Sequence, residues 1–250
     1  MTSRPDLRIN LLGEFQVRRH DGTVVGRDEW RTGKTMDLLR ILALSKGRPV
    51  RLTWVTERLW PNVGQDRARA SLRTAASQIR RATGASCLVR QSDGIKLEGA
   101  WVDAIAFRND ARRVHALALA ARHSRAVDLT RAAERLYADD FHAHDDESPW
   151  AWTEREHLRR CRGAMLSRAA ESAITLGDFR SALGFAGTAV GIDATSEAAH
   201  RAQMRSYAGL GETASALRSF EGLRTHLAHE MGASPSLETR ELHLQLLRGG

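Results

Sequence analysis

The sequence has few of the residues that build disulfide frameworks, and it lacks the long apolar runs that cross membranes. Only Cys87 and Cys161 are cysteines, and they lie too far apart to suggest a disulfide framework or a Cys-x-x-Cys ligand pair. No stretch approaches the roughly 18 to 20 uninterrupted apolar residues of a membrane helix, and the first residues do not resemble a secretion signal. We therefore expect a cytoplasmic protein in a reducing compartment.

The sequence also lacks the complete motifs of several enzyme classes. The triplet from Gly33 to Thr35 ends like a phosphate-binding loop, but the glycine required five positions before Gly33 is Asp28. A zinc-protease helix could begin at His229, yet Ala233 stands in the place of its second histidine. There is no Gly-x-Ser-x-Gly, and neither cysteine has a neighbouring histidine to activate it. We expect neither enzymatic activity nor a cofactor.

One histidine-rich run raises the possibility of a metal site. It reads FHAHDDE at 141–147, where His142 and His144 alternate before three acidic residues. Alternating histidines can chelate a metal when they lie on the same face of a strand. Since this run lies between two helical stretches, we interpret it as a solvated connector and expect no metal there.

Lysine is rare, and the arginines that replace it are unevenly placed. Only Lys34, Lys46 and Lys96 are lysines among 38 basic residues, and the planar arginine side chain suits phosphate oxygens and guanine edges. Residues 1–100 have 19 basic and 10 acidic side chains, a balance of +9, whereas 101–250 have 19 and 20, a balance of −1. The first part of the chain is therefore expected to bind a polyanion.

The first 107 residues combine strand and helix patterns. Alternation over 7–17 predicts a short antiparallel sheet, and the Asp-Gly pairs that begin at Asp21 and Asp93 are typical of hairpin turns. Helical spacing predicts three helices between these turns. They cover about 34–46, 52–60 and 67–82.

From about residue 108 the pattern is helical almost throughout. Ser148 can cap a helix whose first position is Pro149. GDFRSAL begins at Gly177 and GETASAL at Gly211, a spacing of 34 residues, which is the tetratricopeptide period. The sequence predicts a mainly α chain with a smaller β component: an N-terminal domain over 1–107 and an all-α domain of tetratricopeptide-like repeats over 108–250.

The third predicted helix separates apolar residues from basic ones. Leu72, Ala75, Ala76 and Ile79 recur at helical spacing and can pack inward. The remaining surface contains arginines and small hydroxyl residues: Arg69, Arg73, Thr74, Ser77, Arg80 and Arg81. Small side chains let a helix approach base edges in a major groove, while arginines reach phosphates or guanine. A solvated basic helix surface is the simpler alternative.

The start of the first predicted helix supports two interpretations. Lys34 and Thr35 lie where free backbone N–H groups and the helix dipole favour an anion, such as a DNA phosphate. Capping of the helix by Thr32 or Thr35 accounts for the same residues.

Several stretches, taken in order, resemble one known family. They are LRINLLGEFQV, VTERLW, ARASLRTAASQIRRATG, GIKL and VDAIAF in the first part, then SPWAWTEREHLRR and ALRSFEGLRTHLAHEMGASPSLETRELHLQLL. Together they are similar to the OmpR-type winged helix and bacterial transcriptional activation domain of the SARP activators (Streptomyces antibiotic regulatory proteins). Three positions depart from the pattern: Arg51 replaces a capping serine, Gln78 an arginine and Ile95 an aromatic residue. Gln78 would favour adenine where arginine favours guanine.

The resemblance implies a transcriptional activator that binds direct repeats in double-stranded promoter DNA, as a homodimer, and recruits RNA polymerase holoenzyme. The residues expected to dock on or read DNA are Lys34, Arg69, Arg73, Thr74, Ser77, Gln78, Arg80 and Arg81, with Arg90 and Lys96 in the wing. The loop at 60–66 is expected to contact the polymerase through Trp60, Asn62, Gln65 and Asp66. A helical-repeat adaptor or ligand receptor that is tethered nonspecifically to DNA is the competing reading.

Overall fold

The computed structural model describes residues 5–84, 87–143 and 148–249. The chain divides into two compact units, which we call unit 1 (residues 1–107 and 136–155) and unit 2 (residues 108–135 and 156–250). No helix among the described residues is both long and apolar enough to cross a membrane.

The division differs from the predicted domains in the segment 136–155, which belongs to unit 1 and not to the helical part. The physical reason is burial. Phe141 is 1% exposed and forms an isolated β-bridge with Leu12. Tyr137 packs edge-on against Phe107, with ring centroids 5.0 Å apart. These aromatic side chains complete the core of unit 1 from a distant part of the sequence.

Unit 1 contains two small sheets and three helices. The first sheet has the order β2-β1-β6, in which β1 is antiparallel to β2 and parallel to β6; the second has the order β3-β5-β4 and is antiparallel throughout. The strands are β1 (Leu7–Asn10), β2 (Gln16–Arg19), β3 (Val50–Arg51), β4 (Leu88–Gln91), β5 (Gly94–Leu97) and β6 (Ala100–Val102). The helices are α1 (Gly33–Leu44), α2 (Leu52–Leu59) and α3 (Gln65–Thr83).

The three predicted helices and both Asp-Gly turns are confirmed. Gly22 has a φ of +94°, and Ser92 and Asp93 connect β4 to β5. The strands β3 and β6 were not predicted, because two or three residues are too few to show alternation. They form through pairing with β5 and β1.

The buried carboxylate of Asp103 connects the first sheet to the helix that follows β6. Asp103 is 3% exposed, and its oxygens accept hydrogen bonds from the N–H groups of Leu11 (2.8 and 2.9 Å) and Leu12 (3.1 Å). Burial raises the pKa of Asp103, although these donors act in the opposite direction. The end of β1 and the start of this helix are thus held together by a side chain that packs within unit 1.

The helical part of the chain contains seven helices among the described residues. They are α4 (Asp103–Leu119), α5 (His123–Glu134), α6 (Pro149–Thr175), α7 (Phe179–Ile192), α8 (Glu197–Gly209), α9 (Thr213–Met231) and α10 (Leu237–Arg248). Pro149 begins α6 as predicted. Fully buried alanines such as Ala170, Ala186 and Ala202 let neighbouring helices approach closely.

Three helix pairs, α4/α5, α6/α7 and α8/α9, are joined by the same kind of turn. The predicted glycines Gly177 and Gly211 have φ of +75° and +78°, and Ala121 has a φ of +54° in the corresponding position. In each turn the next N–H donates to the carbonyl five residues earlier: Arg122 to Leu117 (2.8 Å), Asp178 to Ala173 (3.0 Å) and Glu212 to Tyr207 (2.9 Å). The two predicted tetratricopeptide-like units are confirmed, and a third precedes them. Alanine in place of glycine, and a spacing of 56 residues between Ala121 and Gly177, hid the first unit from sequence analysis.

Candidate nucleic-acid interface

The helix α3 presents the predicted basic face to solvent. Its N-cap is Gly64, and it ends at Gly84, whose φ of +65° is the left-handed conformation that favours glycine. The inward residues Leu72, Ala75, Ala76 and Ile79 are all buried. Those predicted to lie outward are exposed: Arg69, Arg73, Thr74, Ser77, Arg80 and Arg81. The fold therefore brings these six predicted site residues together on one face.

Two clefts border this face. The first, which we call the wing cleft, has a volume of about 700 Å³ and lies between α3, the start of α2 and the β4–β5 hairpin. Its floor includes Leu72 and Ile95. The arginines that line it are Arg69, Arg73, Arg80 and Arg90. An apolar floor with a basic rim can accept sugars below and phosphates above.

The second, which we call the α1 cleft, has a volume of about 540 Å³ and lies between α3 and the residues that precede α1. It is lined by Glu29, Arg31, Arg73, Thr74, Ser77, Gln78 and Arg81. Arg73 borders both clefts and forms no hydrogen bond or ion pair with the described residues. It is therefore the arginine of α3 best placed to contact a ligand on either side.

Two arginines near the end of α3 also have structural partners. The Nη2 atom of Arg80 donates to the carbonyl of Leu88 at 3.1 Å, which ties α3 to β4. The Nε atom of Arg19 donates to the carbonyl of Ala82 at 2.9 Å, which ties β2 to the last turn of α3. Arg80 thus positions the wing strand in addition to lining the wing cleft.

Gln78 is half-buried and is held by α1. Its Oε1 atom accepts a 2.6 Å hydrogen bond from the Oγ1 hydroxyl of Thr35. The N–H of Thr35 donates to Oγ1 of Thr32 at 3.2 Å, so Thr32 caps α1. The capping hypothesis is confirmed for Thr32. Lys34 is exposed at the start of the same helix, where a phosphate contact remains a prediction.

The two predicted wing residues differ in their freedom. Arg90 is exposed on β4. The side chain of Lys96 is 21% exposed, and its Nζ atom lies 2.5 Å from Oε1 of Glu98. A contact of Lys96 with DNA would have to displace this ion pair, so Arg90 is the better placed of the two.

The predicted polymerase-contacting loop is shorter than expected, because α3 begins at Gln65. Gln65 and Asp66 are therefore the first residues of α3, and the loop itself is 60–64. Asn62 is exposed, whereas Trp60 is half-buried.

The sequence analysis did not identify an aromatic pair on α2 next to this loop. The Arg58 guanidinium stacks 3.8 Å from the ring centroid of Trp54, whose side chain remains 37% exposed. The signal in the sequence was their i, i+4 spacing, which places both side chains on one helix face.

His142 has a structural partner within unit 1. Its Nε2 atom lies 3.3 Å from Oδ1 of Asp37, which also accepts a 2.9 Å hydrogen bond from Nη1 of Arg40. Burial acts to raise the pKa of Asp37, but the hydrogen bonds and charges of His142 and Arg40 outweigh it and lower that pKa. The rest of the histidine-rich run, residues 144–147, lies outside the described residues. Among the described residues, no group of three or more His, Cys, Asp or Glu is arranged to hold a metal.

Comparisons with known proteins agree with this arrangement. The family description "Bacterial transcriptional activator domain" matches residues 102–247. The regulatory protein AfsR of Streptomyces coelicolor is 26% identical over 234 residues, which are 88% of this chain and 23% of AfsR. The solved structure of Mycobacterium tuberculosis EmbR, in complex with a low-affinity phosphopeptide, superposes with a TM-score of 0.86 and 22% identity, over 98% of this chain and 66% of that one.

The chain thus spans about a quarter of the length of AfsR and about two thirds of the EmbR chain. The family match covers more than half of the chain and includes the helix pairs described above. The likeness to EmbR supports the fold over nearly the whole chain. The chain belongs to the bacterial transcriptional activator domain family, in its SARP-type form, and this is a family of transcription regulators and not of enzymes.

Proposed function

We propose that this protein is a cytoplasmic, sequence-specific DNA-binding regulator that activates transcription from promoters with direct repeats. The observation that carries the proposal is the exposed face of α3, where arginines and small hydroxyl residues lie between two arginine-lined clefts. A helix with such a face can enter a major groove while its arginine rims bind the flanking phosphates.

Each side chain has a role that follows from its position. Thr74 and Ser77 lie at the centre of the exposed face, where they allow close approach to base edges. Arg69, Arg73, Arg81 and Arg90 would bind phosphates or guanine, and Lys34 would bind a phosphate at the start of α1. Gln78 supports the face from behind through Thr35, so its contribution to base reading is expected to be secondary.

The loop 60–64 and the neighbouring Trp54–Arg58 pair supply a surface for RNA polymerase holoenzyme. Exposed aromatic and arginine side chains are enriched at protein interfaces. These residues lie on α2 and its end, outside the exposed face of α3. A duplex on α3 therefore leaves this surface accessible.

The experiment that tests this proposal separates DNA binding from activation. Asn62→Ala and Trp54→Ala should leave affinity for an operator duplex within about twofold, while each reduces transcription from that operator in a reconstituted assay by about tenfold. Ser77→Glu should abolish both, because a carboxylate opposes the phosphates. Reduced DNA affinity for the first two variants would contradict a separate polymerase surface.

The alternative is a helical-repeat adaptor or ligand receptor that is held on DNA nonspecifically. The alanine-rich helix pairs favour it, because such stacks form concave binding faces. The ratio of affinities for specific and scrambled DNA distinguishes the two: a large ratio supports the regulator, and a ratio near one supports the adaptor. Dimerisation on paired repeats is part of the proposal, and cooperative binding to two repeats over one would support it.

A further inference from the structure

The outer face of the first sheet contains arginines that no acidic side chain balances. Arg8 on β1 lies directly opposite Arg18 on β2 and Trp101 on β6. Both arginines are exposed, and neither forms an ion pair with an acidic side chain in the described part of the chain. Like charges in directly opposed cross-strand positions destabilise a sheet. The fold therefore maintains an unfavourable pair that an anionic partner would relieve.

The indole of Trp101 holds one of these arginines in place. The Arg8 guanidinium lies 4.4 Å from the ring centroid. Stacking occupies one plane of the guanidinium and leaves its N–H donors at the edge available for a carboxylate. A cleft of about 430 Å³ runs beside this pair, and Asn10, Pro5 and Gly22 contribute to its lining.

We propose that this surface, which we call the sheet patch and define as Arg8, Asn10, Arg18 and Trp101, docks an acidic peptide segment of a partner protein. Planar carboxylates match the guanidinium fork and can bind it through two parallel hydrogen bonds. Two arginines on adjacent strands accept two carboxylates of one segment. The indole ring and Pro5 contact the methylene groups or an apolar neighbour in that segment.

A nucleic acid is the less suitable occupant. The alternate residues of the same strands, Leu7, Ile9 and Val17, are buried, so the sheet patch faces away from the core. The cleft at the sheet patch shares no lining residue with the wing cleft or the α1 cleft. Its lining also combines basic residues with an aromatic ring and proline, which favours a peptide over a backbone of phosphates alone.

The test uses the full chain and a short fluorescein-labelled peptide of Glu and Asp with one central Phe, with binding followed by anisotropy at low salt. A peptide in which Gln and Asn replace the acids is the reference. The acidic peptide should bind at least about tenfold more tightly than the reference, and binding should weaken as salt rises.

Two double variants test the site itself. Arg8→Glu with Arg18→Glu, and the milder Arg8→Gln with Arg18→Gln, should each weaken peptide binding by about tenfold or more. The matched control is Arg125→Glu with Arg240→Glu, an equal change of charge at exposed positions in the first turns of α5 and α10, where glutamate is favourable. This control should change affinity less than about twofold. Circular dichroism confirms folding, and the glutamine pair keeps the test valid if charge reversal perturbs the sheet.

Equal affinity for both peptides, or an equal loss in the matched control, would overturn the proposal. A labelled non-operator duplex provides the remaining arm. If the sheet patch variants weaken duplex binding but leave peptide binding intact, the surface contacts nucleic acid and the peptide proposal fails. Operator affinity is expected to change less than about twofold in the glutamine pair, so the result does not depend on the function proposed for α3.

Discussion

Thr35 on α1 donates a 2.6 Å hydrogen bond to Gln78 on α3, although 43 residues separate them in sequence. Thr35 is 1% exposed, and its own N–H donates to the capping hydroxyl of Thr32. The start of α1 and the middle of the DNA-facing helix are thus fixed to each other. The angle at which α3 can enter a groove depends on this connection, and a base contact by Gln78 would compete with it.

Replacement of Gln78 therefore tests a positioning role. Gln78→Ala should lower the free energy of unfolding by about 1 kcal/mol, because the buried Thr35 hydroxyl loses its partner. Ser77→Ala, at the neighbouring exposed position, should change it by less than about 0.5 kcal/mol. Urea unfolding measures both. Unchanged stability of Gln78→Ala, with a loss of affinity confined to one adenine of the operator, would instead assign Gln78 to base reading.

Arg73 and Arg80 line the same cleft but are expected to respond differently to truncation. Arg73→Ala should preserve stability and reduce the slope of log affinity against log salt by about one unit, the signature of a lost phosphate contact. Arg80→Ala should also lower the free energy of unfolding by about 1 kcal/mol, because its hydrogen bond to Leu88 is lost. Salt titrations and urea unfolding of the two variants check this. If Arg80→Ala changes neither affinity nor salt slope, Arg80 only positions the wing.

Ala121 adopts the left-handed conformation that glycine supplies in the two later helix turns. Ala121→Gly should raise the free energy of unfolding by about 1 kcal/mol, because the side chain no longer strains the turn. Ala120→Gly, one position earlier, has no such strain to relieve and should not stabilise the protein. Thermal and urea unfolding compare the two. A destabilised Ala121→Gly variant would mean that the Cβ of Ala121 is worth more than the strain.

His200 should make stability depend on pH. It is 4% exposed, and its ring nitrogens lie 3.1 Å from Oγ of Ser219 and 3.1 Å from the carbonyl of Ala194. Burial lowers the pKa of His200 below its ordinary value of 6.5, so the unfolded chain binds a proton at a pH where the folded chain does not. The contribution is therefore fully present above about pH 6.5 and is lost as the pH falls toward the lowered pKa.

Urea unfolding at about pH 7.5 and about pH 5.5 measures this effect. The loss of stability between the two should be smaller in His200→Gln than in the unchanged protein. His229→Gln, at an exposed position of α9, is the control and should keep the original loss. An identical loss in all three proteins would show that other groups control the acid response.

The sequence predicted the features that depend on local periodicity, and it missed those that depend on distant partners. The face of α3 was predictable because Leu72, Ala76 and Ile79 repeat at helical spacing. The hold of Thr35 on Gln78 and the packing of Tyr137 against Phe107 link segments that no local pattern connects. The first repeat was hidden by one substitution, Ala121, at a position where the recognisable residue is glycine. Lys96 illustrates a further limit, because its ion pair with Glu98 depends on how the wing strand is placed.

The most direct test of the account is selection of random duplex DNA on the full chain at near-physiological salt. The affinity for the enriched site is then compared with that for a scrambled duplex. The account predicts enrichment of a direct repeat and a preference of about a thousandfold or more. No enrichment, with equal affinities that vanish together as salt rises, would contradict it and reduce the arginines of α3 to nonspecific attachment.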